Sequence, residues 1–256
     1  MIKYYLQFLF ASKNEHSLHS PFVFELYTKI IQAKTQLPVF EQIENLRKKL
    51  LENRSVINIT DFGAGSRIYK TNQREIRQIA KSAEKNPKFG ELLFRLIQYF
   101  KPKTIFDLGT SLGITTIYES KAYESSRVFT FEGCLATATI AKENFNELDC
   151  KNVEIIIGNI DETLPENLAK IKQLDFAFFD ANHRYEPTIK YFELCLEKAT
   201  EESVFVLDDI HWSDEMHKAW QYIRNHKEVM ISIDLFYIGL VFFRKNQPKQ
   251  DFVLRF

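Results

Sequence analysis

Thr104-Ile105-Phe106-Asp107-Leu108-Gly109-Thr110-Ser111-Leu112-Gly113 decides the fold. A β-branched and aromatic run ends on an acid and breaks at once into a loop with glycines four residues apart. A strand that turns sharply through glycines into a helix start presents free backbone N–H groups, the usual cradle for an anion or carboxylate. Glycine is scarce here, eight in 256 residues, or about 3% against a usual 7% or so. Gly109, Gly113, Gly133 and Gly158 each lie just beyond a β-rich run, so their positions point to a site.

Outward from this stretch the pattern repeats. Strand-like runs occupy Thr104–Leu108, Arg127–Glu132, Val153–Gly158, Asp175–Asp180 and Ser203–Asp209, with starts 22 to 28 residues apart. That interval holds one strand, one helix and two short loops. The runs are nearly continuous in apolar residues, as strands buried on both faces require. Between them, Leu135, Ala138, Phe145 and Leu148 share a helical stripe, as do Ile189, Phe192, Cys195 and Ala199, and Met216, Ala219, Trp220 and Ile223. The rhythm predicts an open α/β fold, a parallel sheet with helices on both faces. Val229–Leu235 and Tyr237–Arg244 leave no room for a helix between them, so the last strand is expected to run antiparallel.

Residues 1–102 read differently, as a mainly helical N-terminal extension on the acceptor side of residues 103–256. Met1–Phe10 is too short in apolar residues for a signal peptide and reads as a helix packed on the body. Ser20-Pro21 reads as an N-cap with proline at the first helical position, opening a helix to about Ile31. Phe40, Ile43, Leu46 and Leu50 form a second amphipathic helix, and Leu92, Leu93, Leu96, Ile97 and Phe100 another, stopped by Pro102. His19-Ser20-Pro21-Phe22 is expected in a lid or wall of the acceptor pocket.

Two glycine loops compete for a cofactor. Asp61-Phe62-Gly63-Ala64-Gly65-Ser66 follows strand-like Val56–Thr60, but a helical, basic stretch (Arg74 to Lys85) comes next, with no acid at a strand end. After Asp107, the next strand ends in Glu132-Gly133, 25 residues on, where a carboxylate can hold ribose hydroxyls. The second loop is therefore the cofactor loop. The position that the dinucleotide fingerprint reserves for its middle glycine is Ser111, which disfavours a pyrophosphate.

This acid-led loop, the acidic second strand and the reversed last strand resemble the class I S-adenosylmethionine-dependent methyltransferases, over about residues 104–244. The resemblance implies a Rossmann-like seven-stranded sheet and S-adenosylmethionine as cofactor. Gly109, Ser111 and Gly113 would let backbone approach its methionine part. Thr110 and Thr115 would meet its carboxylate, and Asp107 would orient the loop or meet the amino group. Glu132, with Gly133, would accept the ribose hydroxyls, and Asn159-Ile160 would sit at the adenine, where many relatives have an acid.

Two further strand ends carry Asp180-Ala181-Asn182-His183 and Asp208-Asp209-Ile210-His211-Trp212. Both belong at the carboxyl edge of the sheet, where open α/β folds bind ligands. Converging carboxylates there need a cation, and oxygen ligands suit Mg²⁺, Ca²⁺ or Mn²⁺. The pattern is similar to the cation-dependent O-methyltransferases of catechols and caffeoyl thioesters. That resemblance implies metal ligands Asp180, Asp208 and Asp209, the last replacing an Asn. His183 stands where those enzymes carry a basic lysine, and imidazole can act as a base near neutral pH.

Lys+Arg and Asp+Glu balance at 34 each, so no electrostatic footprint for nucleic acid exists in the composition. No apolar run reaches the roughly 20 residues that span a bilayer. Cys134, Cys150 and Cys195 lack C-x-x-C spacing and fit reduced structural thiols, as in a cytoplasm. The expectation is a cytoplasmic methyltransferase acting on an oxygen of a small molecule, with no nucleic-acid or membrane partner. Its 23 Phe and 11 Tyr allow a homodimer. The rival readings are a metal-dependent oxygenase-like enzyme on the same fold and a cofactor-binding protein without catalysis.

Overall fold

The computed structural model describes residues 1–60, 72–83 and 86–256. In chain order the elements are α1 (Ile2–Ala11), α2 (Pro21–Leu26), α3 (Pro38–Glu52), β1 (Val56–Asn58), β2 (Gln73–Glu75), α4 (Ile76–Ala83) and α5 (Pro87–Phe100). The alternating part follows as β3 (Thr104–Leu108), α6 (Ile114–Ala122), β4 (Arg127–Glu132), α7 (Leu135–Glu147), β5 (Val153–Ile157), α8 (Ile160–Leu168), β6 (Leu174–Phe179), α9 (Tyr185–Leu196), β7 (Ala199–Asp208) and α10 (Asp214–Asn225). The chain finishes with β8 (Ile231–Asp234), β9 (Ile238–Phe242) and β10 (Gln250–Val253). This is the expected α/β fold, with a large, mostly parallel sheet and helices around it.

The chain divides into two compact units, residues Lys34–Glu166 and residues Met1–Ala33 with Asn167–Phe256. In the first, β3, β4 and β5 pair in parallel, in register from Thr104 opposite Arg127 and Val128 opposite Val153. Beside them β1 and β2 pair antiparallel. This corrects the expectation that Arg74 begins a helix: Arg74 lies opposite Ile57 in a strand, and helix α4 starts only at Ile76. Backbone pairing overrides the helical propensity of a short basic run. The Asp61–Ser66 loop lies outside the described residues.

In the second unit β6 and β7 are parallel, and β9 runs antiparallel to both β7 and β8. The reversed strand is thus where the sequence places it, with Phe236 at φ 72° in the turn. One strand was not expected: β10 pairs parallel with β8, so among the described residues the main sheet has eight strands where seven were expected. Gln250-Asp251-Phe252-Val253 is short and half polar, so its pattern carries little strand signal. Pairing supplies what the pattern lacks: Ser232 Oγ donates to Asp251, and Lys13 bridges Leu254. Tyr27 Oη and Gln32 Nε2 donate to the carbonyl of Arg255 at 3.0 and 2.6 Å, which ties down the residues after β10.

Strands β6 and β9 are buried almost throughout, as is β7 from Ser203 to Asp208, as continuous apolar runs should be. The stripe of α10 is buried as predicted. Two stripes need correction at their ends: Leu135, at the first turn of α7, is 65% exposed, and Ala199 already belongs to β7. The buried face of α7 runs through Thr137, Ala138, Ala141, Asn144 and Phe145 instead. In α2 the Ser20 hydroxyl accepts from Val23 N, the predicted cap. No helix among the described residues is long and apolar enough to cross a membrane.

All three cysteines are free thiols, with Cys134 and Cys195 buried. Burial pushes the Cys195 thiol far up and that of Cys150 up as well, which disfavours the reactive thiolate. An aromatic disulfide reagent should therefore label at most Cys150 within minutes in the folded protein, and all three cysteines after denaturation. Fast labelling of Cys195 in the native state would contradict this packing.

Candidate active site

The glycine loop is built by bonds converging from three sides. Gly109 N and Thr110 N both donate to the Phe131 carbonyl at 3.1 Å, which ties the loop to β4. Asp107 is wholly buried, and its Oδ2 accepts from Thr116 Oγ1 at 2.5 Å and Thr130 Oγ1 at 2.7 Å. It thereby links β3 to α6 and β4. Asn144 of α7 donates from Nδ2 to the Leu112 carbonyl at 2.8 Å. Gly109, Ser111 and Gly113 all have positive φ, 117°, 50° and 84°.

Gly113 shows why the loop needs glycine. A Cβ there would stand 2.5 Å from Phe145 Cε1, and its φ is left-handed. Gly113→Ala combines a backbone penalty of about 1–2 kcal/mol with overpacking of about 1–3 kcal/mol. Chemical denaturation should show a loss of about 2–5 kcal/mol; a change below about 0.5 kcal/mol would contradict the packing.

Glu132, half-exposed at the end of β4, faces this loop. Its Oε2 accepts from Ser111 N at 2.9 Å, and its Oε1 from Cys134 N at 2.8 Å. A carboxylate has about four lone-pair sites, more than these two backbone donors use. Such a pre-aimed carboxylate beside a glycine turn fits a vicinal diol, as in ribose. Gly158, at φ 141°, follows β5 and donates to the Glu132 carbonyl at 2.9 Å. Beyond it, Asn159 and Ile160 are half-exposed, and Asn159 Oδ1 accepts from Asp161 N at 3.1 Å. Thr110 is buried with its hydroxyl 2.6 Å from that of Thr130, whereas Thr115 is half-exposed at the start of α6.

In the other unit, Asp180 and Asp208 stand at the carboxyl ends of the parallel strands β6 and β7. Asp208 is 2% exposed. His183 Nε2 lies 3.4 Å from Asp180 Oδ1. One ligand atom each from Asp180, His183 and Asp208 all fall within 4.8 Å of one another. Two carboxylates and an imidazole at that spacing fit a divalent cation. Asp209, predicted as a third carboxylate ligand, is outside this group. Asp209 follows the end of β7 and is left-handed, at φ 52°. Asn182 and His183 are also left-handed, at 68° and 45°. Non-glycine residues held there cost about 1–3 kcal/mol each and cluster at functional sites.

His211 is buried in a polar chain. Its Nε2 is 2.7 Å from Asp234 Oδ2, which also accepts from Trp220 Nε1 at 3.1 Å. Its Nδ1 is 2.9 Å from His217 Nδ1, and Tyr4 of α1 stacks on His217 with ring centres 4.0 Å apart. Sequence reasoning missed Thr116, Thr130, Asn144 and Asp234. The one available signal was a polar residue flanked by apolar ones within a strand, as Thr130 is between Phe129 and Phe131.

The fold and the loop define a class: α/β proteins in which a glycine turn faces the acid ending the next strand. Residues 106–210 match the family model described as Methyltransferase domain. No curated protein matches. Among solved structures, similar folds include the O-methyltransferase from Bacillus cereus in complex with SAH (17% identity, 85% of this chain and 96% of that one, TM-score 0.57). Others are the O-methyltransferase of tomaymycin synthesis from Streptomyces achromogenes with SAM (14%, 86% and 95%, 0.58) and a SAH-bound methyltransferase of Podospora anserina (9%, 88% and 97%, 0.60). Residues 106–210 thus match a methyltransferase domain, and the chain shares the fold of these methyltransferase structures.

Proposed function

We propose that the protein transfers the methyl group of S-adenosylmethionine to an oxygen of a small molecule, assisted by a divalent cation. The observation that carries the oxygen and cation assignment is the convergence of Asp180, His183 and Asp208 at one edge of the sheet. Support for the cofactor comes from the Glu132 carboxylate and from the SAH- and SAM-bound neighbours.

The cofactor supplies an electrophilic methyl, so the acceptor oxygen bonds to its carbon as the carbon–sulfur bond breaks. Glu132, aimed at the loop by Ser111 N and Cys134 N, would accept the ribose hydroxyls. The backbone around Gly109 and Gly113 would admit the methionine part, with Thr115 near its carboxylate. Asn159, whose Oδ1 caps α8, would offer its amide donor to an adenine nitrogen, and Ile160 an apolar edge. Asp180 and Asp208 would hold the cation, which when bound lowers the acceptor hydroxyl's pKa and fixes its orientation.

The test is transfer of isotope-labelled methyl from S-adenosylmethionine to a panel of catechols and other small hydroxyl compounds. Removal of divalent ions with EDTA should lower transfer at least about 100-fold while leaving cofactor affinity within about threefold. Full activity in EDTA would remove the cation from the reading. Iron- and oxygen-dependent turnover without methyl transfer would favour the oxygenase-like alternative.

A further inference from the structure

We infer that His183 is a nitrogen ligand of the cation rather than the base of the reaction, and that the site therefore selects a first-row transition ion such as Mn²⁺ over Mg²⁺. This rests on the proposed cation site and deepens it. The placement of His183 Nε2, 3.4 Å from Asp180 Oδ1, is the first observation. Two ligands at right angles on an ion with bonds near 2.1 Å stand about 3 Å apart, so the pair needs only a small adjustment to share one.

The backbone explains the position. Asn182 and His183 are consecutive left-handed residues, and they wrap the chain back so that a side chain three places on meets Asp180. A base that collects a proton from a mobile acceptor has no need of this wrap; a ligand sharing one ion with Asp180 does. The ring is also hemmed in, with the Trp212 ring centre 5.9 Å away. The third member, Asp208, is fixed at the end of β7 and almost wholly buried. Among the described residues these three are the group that could hold a metal ion.

The donor set then decides the metal. Mg²⁺ and Ca²⁺ prefer oxygen alone, whereas imidazole raises affinity for Mn²⁺, Fe²⁺ and Co²⁺. Exchanging one oxygen donor for nitrogen should therefore favour Mn²⁺ over Mg²⁺ by at least about tenfold.

The experiment loads the metal-stripped full chain with Mn²⁺ alone. Electron spin-echo spectra report directly bound ¹⁴N, and calorimetry gives Mn²⁺ and Mg²⁺ affinities. Wild type is expected to show imidazole ¹⁴N modulation and at least tenfold preference for Mn²⁺. His183→Ala should lose the modulation and bind Mn²⁺ about 10-fold or more weakly, while Mg²⁺ affinity changes less. His183→Gln, which returns an oxygen donor, should narrow the preference without restoring ¹⁴N modulation; circular dichroism checks that each variant is folded. Mn²⁺ bound by Asp180 and Asp208 with no ¹⁴N signal and unaltered affinity in His183→Ala would overturn the inference and leave the cation site standing. No Mn²⁺ bound to wild type would overturn both.

Discussion

Replacing Glu132 with alanine is expected to weaken S-adenosylmethionine binding about 10²–10³-fold. Two hydrogen bonds from hydroxyls to a carboxylate are each worth about 1.5–3 kcal/mol when one partner is charged. The variant also leaves Ser111 N and Cys134 N without the acceptors they have in the native protein, at 2.9 and 2.8 Å. The loop should therefore lose its preset shape as well as its ribose ligand. Glu132→Gln separates the two effects: its amide oxygen can keep one backbone bond, so an intermediate loss of about 10–50-fold is expected. Equilibrium dialysis with labelled cofactor measures both, and a Glu132→Ala variant that binds within threefold of wild type would remove Glu132 from the ribose site.

Asp208→Asn should cut metal-dependent methyl transfer by about 10²–10⁴-fold. Asp208 is 2% exposed and shares its edge with Asp180 and His183, so the neutral amide removes one of two negative charges that attract the ion. The same change should abolish any rise in Tm that Mn²⁺ gives the wild type, because an ion that binds only the folded state stabilises it in proportion to its affinity. Cofactor affinity should move by less than about threefold, since Glu132 and the glycine loop, the proposed cofactor residues, belong to the other compact unit. Parallel dialysis and thermal melts check both expectations. Unchanged Mn²⁺ stabilisation in Asp208→Asn would exclude this residue as a ligand.

The sheet was legible because its strands are buried on both faces. Phe176-Ala177-Phe178-Phe179 and Val204-Phe205-Val206-Leu207 carry no polar interruption, and only a covered parallel sheet stabilises such runs. The same reasoning could not find β10, whose stability comes from β8 and from Lys13, residues far away in sequence. The Arg74 misreading has the same origin, a strand made by its partner β1.

At the site, the loop from Asp107 to Gly113 and the acid Glu132 were legible from spacing alone. Their supports were not: Thr116, Thr130 and Asn144 look like ordinary helix and strand residues until the fold brings them to Asp107 Oδ2 and the Leu112 carbonyl. Asp209 illustrates the opposite limit. The resemblance implied a ligand role beside Asp208, but the chain leaves β7 at Asp208 and turns left-handed at Asp209, which is outside the group of three. His183 reached the cluster through two left-handed residues that propensity does not foresee.

The glycine loop and Glu132 together are proposed to bind S-adenosylmethionine. Calorimetric titration of the wild-type protein with that cofactor tests this most directly. Saturable one-to-one binding is the result predicted; no heat of binding up to millimolar cofactor, with the protein shown to be folded, would contradict it.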